Sequence, residues 1–160
     1  MIADFGLSKH LADIKSNSVF LGMPAYIEPQ CFINNNYKRN EKSDIYSLGV
    51  LFWEISSGKP PFPDTSIYKI SLDIVKGIRE APISNTPLKY QQLYEKCWKE
   101  EPNQRPDIDE IYKILIELKS QFNNNEHINI NNSVASYGDS NNLKKLFNFL
   151  FIIIFYLLIK

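Results

Sequence analysis

Asp4-Phe5-Gly6 places a carboxylate beside a tight glycine turn, an arrangement that could hold Mg²⁺ against nucleotide phosphates and that serves equally as a capped turn. A second acid, Asp44, stands at the head of an apolar run, where the positive end of a helix macrodipole favours any carboxylate. Other chemistries find less material. The two cysteines, Cys31 and Cys97, and the two histidines, His10 and His127, are too scattered to suggest a structural zinc site. Two cysteines are also too few for a disulfide scaffold, which points to a reducing, intracellular setting. Eighteen Lys plus Arg balance eighteen Asp plus Glu, so the chain lacks the basic footprint of a nucleic-acid binder.

The elements that must position these groups lie in the first of three compositional zones. Residues 1–120 carry helical periodicities broken by Pro, Gly and Asn, in a chain that is 44% hydrophobic and 13% aromatic overall and so able to build a core. Residues 121–142 are polar and Asn-rich and are expected to form a disordered linker, since they bury too little apolar surface to offset their ordering entropy. Residues 143–160 are abruptly apolar.

Four helices are predicted in the first zone, with strands nearly absent. Ser43 is the expected N-cap of a helix over 43–57, apolar all round and so central to the domain, stopping near Gly58. Ile67, Ile70, Ile74, Val75 and Ile78 give a second helix over 65–76, with Gly77 as terminator. Thr86 as cap and Pro87 at the first position start a third, with Tyr90, Leu93, Tyr94, Cys97 and Trp98 on one stripe. Asp107 and Glu110, in capping-box spacing, open a fourth that buries Ile108, Ile111, Tyr112, Leu115 and Leu118.

Five motifs occur in order: Asp4-Phe5-Gly6; Gly22-Met23-Pro24-Ala25-Tyr26-Ile27-Glu28-Pro29-Gln30; Lys42-Ser43-Asp44-Ile45-Tyr46-Ser47-Leu48-Gly49; Gly58-Lys59-Pro60-Pro61-Phe62; and Cys97-Trp98 with Arg105-Pro106. The series resembles the C-terminal lobe of a eukaryotic protein kinase from the DFG loop onward, of the tyrosine-kinase-like group with a Ser/Thr-type substrate loop. The resemblance covers residues 1 to about 119. It implies a mainly α fold, the C-lobe helical bundle from αEF to αI in the family's lettering, without the N-lobe. It also implies transfer of the ATP γ-phosphoryl to protein hydroxyls in an intact relative. Asp4 would then bind the Mg²⁺ that bridges the ATP phosphates, with Phe5 and Gly6 beside the nucleotide. Ser8, Ser16 and Ser18 would be phosphosite candidates in an activation loop. Met23, Pro24, Ala25 and Tyr26 would form the substrate loop, anchored by Glu28, Pro29 and Gln30. Asp44 would steady the catalytic-loop backbone, and Arg105 would pair with the glutamate that closes the APE motif.

Three departures qualify what is implied. The sequence contains no G-x-G-x-x-G and no His-Arg-Asp, so these residues alone are expected to be catalytically incomplete and not to bind ATP and Mg²⁺ productively. Gln30 stands where the APE glutamate belongs, which is expected to cost Arg105 its ionic partner, although Glu28 is a nearby acid. Met23 stands in place of the threonine common in Ser/Thr kinases. The missing cover of an upstream helix is expected to expose part of Leu48, Leu51, Phe52 or Ile55. Both ends hint at a fragmentary gene model.

The sequence opens Met1-Ile2-Ala3-Asp4, with no signal-peptide pattern, so the expected location is cytoplasmic. The alternative is membrane association through 143–160, although the run Leu146–Ile159 spans only roughly 21 Å as a helix. A protein substrate or partner is expected on the helical lobe. A non-catalytic, pseudokinase-like binding module is the alternative function.

Overall fold

The computed structural model describes residues 23–129 apart from Asn85, with side chains as far as Gln121. Asp4, Phe5, Gly6, Ser8, Ser16, Ser18 and the tail 143–160 therefore lie outside the described residues. Among the described residues, five α-helices follow one another: α1 (Gln30–Ile33), α2 (Glu41–Ser57), α3 (Ile67–Val75), α4 (Leu88–Cys97) and α5 (Ile108–Asn129). Short 3₁₀ turns at Pro24–Tyr26 and Pro102–Gln104 precede α1 and α5, and no strand occurs among the described residues.

Helix α2 is the hub. It packs against α4 and also meets the Pro24–Tyr26 and Pro102–Gln104 turns. Ile45, Leu48, Val50, Phe52 and Trp53 are all buried, as expected of a helix that is apolar on every side. The exposure expected on this helix falls on Leu51 and Ile55, which are half-buried, while Leu48 and Phe52 are covered. The crossing with α4 depends on Gly49: a Cβ there would sit 2.6 Å from the Cys97 Cβ and 3.1 Å from the Trp98 amide nitrogen. Only a hydrogen at this position lets the two backbones approach so closely.

The stripe predicted on α4 is the second half of this core. Tyr90, Leu93, Tyr94, Cys97 and Trp98 are all buried. Phe52, Tyr90, Tyr94 and Trp98 form a ladder with successive ring centroids 5.9, 6.0 and 5.1 Å apart, and the Tyr90 hydroxyl donates to the Phe52 carbonyl at 2.9 Å. Edge contacts of this kind add to the free energy of burying the rings. From α5, Ile111, Leu115 and Leu118 close the core.

The helix ends correct three expectations. Helix α2 begins at Glu41, and its N-cap is Asn40, whose side chain accepts from the Lys42 amide at 2.9 Å. Ser43 is the N3 residue whose hydroxyl accepts from the Asn40 amide at 3.0 Å, so the two share a capping box and Ser43 is not the cap itself. Helix α3 starts later than 65, because Ser66 caps it. Pro87 is the cap position of α4, its ψ of 129° being extended, so the helix proper starts at Leu88.

The C-terminal signals hold. Gly58 (φ 66°) and Gly77 (φ 78°) both adopt left-handed backbone, and the latter completes a Schellman motif in which Gly77 and Ile78 donate to the carbonyls of Ile74 and Asp73 at 3.0 and 2.8 Å. At the start of α5, the Asp107 carboxylate accepts from the Glu110 amide at 2.8 Å. The Glu110 side chain turns to Lys96 at 2.6 Å. Helix α5 continues to Asn129, so the backbone of 121–129 is helical where composition alone predicts a linker.

Candidate functional site

The residues read as a substrate loop and its anchor form one connected structure on α2. Met23 is 56% exposed and leads into the Pro24–Tyr26 turn, in which Pro24 and Ala25 are buried. Two side chains of α2 hold this turn from below. The Ser47 hydroxyl donates to the Tyr26 carbonyl at 2.7 Å, and the Tyr26 hydroxyl donates to Glu54 Oε2 at 2.5 Å. Burial, reinforced by the neighbouring Glu54 carboxylate, pushes the Tyr26 hydroxyl well above the ordinary phenol range, so it remains a proton donor.

Behind the turn lies a buried ion pair. Arg105 Nη1 donates to Glu28 Oε2 at 2.6 Å, and neither side chain is accessible to solvent. Glu28 also accepts from the Tyr37 hydroxyl at 3.3 Å on Oε2 and from the Ser43 hydroxyl on Oε1. The Arg105 guanidinium donates further to the carbonyls of Lys99, Lys42 and Glu100 at 2.8, 2.8 and 3.0 Å. It lies 5.2 Å from the centroid of the buried Tyr46 ring, and Arg79 stacks on the same ring at 5.4 Å. Burial raises the Tyr46 hydroxyl to about 12, with both guanidinium charges pulling the other way. Lys42 completes the joint, its ammonium donating to the Arg105 and Pro106 carbonyls at 3.0 and 3.1 Å.

This geometry corrects the expectation for Arg105. The arginine keeps an ionic partner, and that partner is Glu28. Gln30 is the first residue of α1 and half-buried, whereas Glu28 precedes the helix and lies fully inside. Pro29, buried, occupies the cap position between them.

Asp44 is exposed on the first turn of α2, one residue beyond the Ser43 that contacts Glu28. The structure thus gathers Glu28, Asp44 and Arg105 at the N-terminal end of α2, with Pro29 next to Glu28, and lays the Met23–Tyr26 stretch along the helix through Ser47 and Glu54. Sequence reasoning missed Ser47, Glu54, Tyr37 and Lys42 as members of this site. A signal for two of them was present, since Ser43, Ser47 and Glu54 recur along one face of an otherwise apolar helix. Among the described residues, no group of three His, Cys, Asp or Glu side chains is placed to hold a metal ion.

A family model for protein tyrosine and serine/threonine kinases matches residues 1–115. The chain belongs to the protein kinase family. Among its relatives, a serine/threonine-protein kinase/receptor of Acanthamoeba polyphaga mimivirus is 34% identical over 121 residues. A LIM domain-containing serine/threonine-protein kinase of Dictyostelium discoideum is 32% identical over 121 residues. The human mitogen-activated protein kinase kinase kinase 7 is 32% identical over 123 residues. Each match covers 76% of this chain but only 7%, 18% and 20% of the respective relative. The helical kinase segment therefore corresponds to a minor part of those proteins.

Proposed function

We propose that this kinase segment is the substrate-side half of a catalytic domain that transfers the ATP γ-phosphoryl to Ser or Thr hydroxyls of proteins. The observation that carries the reading is the Pro24–Tyr26 turn, laid along α2 by Ser47 and Glu54, with Glu28 beyond it reaching the first turn of the same helix, which carries Asp44. A rigid turn there would present a peptide along α2, while Asp44 in the first turn of that helix would brace a catalytic loop. The names of the mimivirus and LIM domain-containing relatives favour Ser/Thr over Tyr as acceptor.

When bound, Mg²⁺ would neutralise charge on the transferring phosphoryl group, and Asp4 is the carboxylate that the sequence offers for it. The chain's own described residues do something different: they orient the protein substrate. The 160 residues contain no glycine-rich phosphate loop and no His-Arg-Asp, so a polypeptide of these residues alone is inert as a phosphotransferase. It works in the cytoplasm on protein substrates or partners, makes no use of nucleic acid, and reaches a membrane only through residues 143–160. Titration of the purified 160-residue chain with ATP tests this directly. No Mg²⁺-dependent nucleotide affinity is expected; saturable, Mg²⁺-dependent binding would overturn the inert reading.

A second reading, a non-catalytic docking module, is favoured by one observation. Ile67, Tyr68 and Leu72 on α3 are 66%, 84% and 59% exposed.

A further inference from the structure

We propose that Glu28 is the positioning residue that locks the substrate-binding turn and the first turn of α2 into one unit, displacing that role from the position held by Gln30. The proposal rests on the reading of residues 23–30 as substrate-binding, but its test reads amide exchange and needs no phosphotransfer. Failure of one is therefore distinguishable from failure of the other.

The wiring is specific to Glu28. Its two carboxylate oxygens serve two different elements. Oε2 takes the Arg105 guanidinium and the Tyr37 hydroxyl, and Oε1 takes the Ser43 hydroxyl. Ser43 Oγ in turn accepts from the Asn40 amide at 3.0 Å, so the carboxylate reaches the N-cap of α2 through a single hydroxyl. Asp44 occupies the next position of that same turn. On the other side, the Glu28 carbonyl accepts from the Cys31 amide at 3.2 Å, which ties the residue to the entry of α1. A buried charge with every partner in place is strongly directional, because any displacement leaves a carboxylate desolvated without compensation.

The arginine side leads to the same residue. Arg105 spends its donors on Glu28 and on the carbonyls of Lys42, Lys99 and Glu100. A carboxylate introduced at position 30 would find four of the five guanidinium N–H groups already engaged. The Lys42 carbonyl belongs to the first turn of α2, so Arg105 braces from below the same turn that Glu28 holds through Ser43.

Hydrogen exchange on the full 160-residue chain tests the proposal. Glu28→Gln preserves volume and removes the charge. It is expected to speed exchange across 24–33 and 41–45 by about tenfold or more, while the interior amides of α4 and α5 keep their protection. Gln30→Glu is expected to change either region by less than about twofold. Unchanged exchange in Glu28→Gln, or slowed exchange of 24–33 in Gln30→Glu, would overturn the assignment. Where Glu28→Gln loses the fold outright, Ser43→Ala takes its place, since it cuts only the link between the carboxylate and α2. Faster exchange in both 24–33 and 41–45 then supports the joint role, and a change confined to 41–45 overturns it.

Discussion

Residues 23–30 and helix α3 both attach to the helical core, by opposite means. The first segment is fastened by polar groups turned inward: Glu28 to Arg105, Tyr26 to Glu54, and the Tyr26 carbonyl to Ser47. Helix α3 is fastened by Ile70 and Ile74, which are buried, and leaves Ile67, Tyr68 and Leu72 facing out. Directional bonds fix where a segment sits to within the tolerance of a hydrogen bond, whereas a narrow apolar stripe fixes mainly that it is attached. A turn that must present a substrate in one geometry needs the former. An exposed apolar helix face suits docking, where the partner supplies the remaining contacts.

The contrast can be broken at its strong end first. Arg105→Ala removes the cation from a buried carboxylate and is expected to cost about 3–5 kcal/mol, enough to abolish the cooperative transition in a urea titration. Next, Gly49→Val drives a branched side chain into Cys97 and the α4 backbone, and is expected to cost about 1–3 kcal/mol by the same measurement. Tyr46, between its two guanidinium groups, gives a pH signature. Below pH 10 its hydroxyl is protonated in folded and unfolded chains alike. As pH rises from 10 through about 12, the unfolded chain ionises before the folded one, so stability falls; Tyr46→Phe is expected to flatten that fall. Asn40→Ala, which deletes the α2 cap, is expected to cost about 1 kcal/mol in thermal melts. Smallest of all, Leu72→Glu on the exposed side of α3 is expected to change stability by less than about 0.5 kcal/mol. A large loss there would mean that α3 is held as firmly as residues 23–30.

The same contrast explains what could be read from the sequence. Periodicity located α2, α3, α4 and α5, because burying an apolar stripe is a local decision that each helix makes with its own residues. Gly58 and Gly77 marked helix ends, because left-handed backbone favours glycine wherever it occurs. The cap of α2 was harder to read, since Asn40 and Ser43 are both good capping residues and only their mutual hydrogen bonds show which one caps. Helix α5 outran its apolar stripe into 121–129, where composition favours disorder. The partner of Arg105 lay beyond local rules altogether. Glu28 and Gln30 differ by two positions, and which of them turns inward depends on where α1 begins, set by packing against residues more than seventy positions away.

The central claim is that these helices form the substrate-side half of a kinase. It is tested most directly by joining residues 4–129 in frame behind the nucleotide-binding lobe and catalytic loop of mitogen-activated protein kinase kinase kinase 7, followed by an assay of phosphate transfer to protein. Transfer to Ser or Thr that vanishes in the Asp4→Asn version is the expected result. A folded chimera that transfers no phosphate, or one that is indifferent to Asp4, would contradict the account.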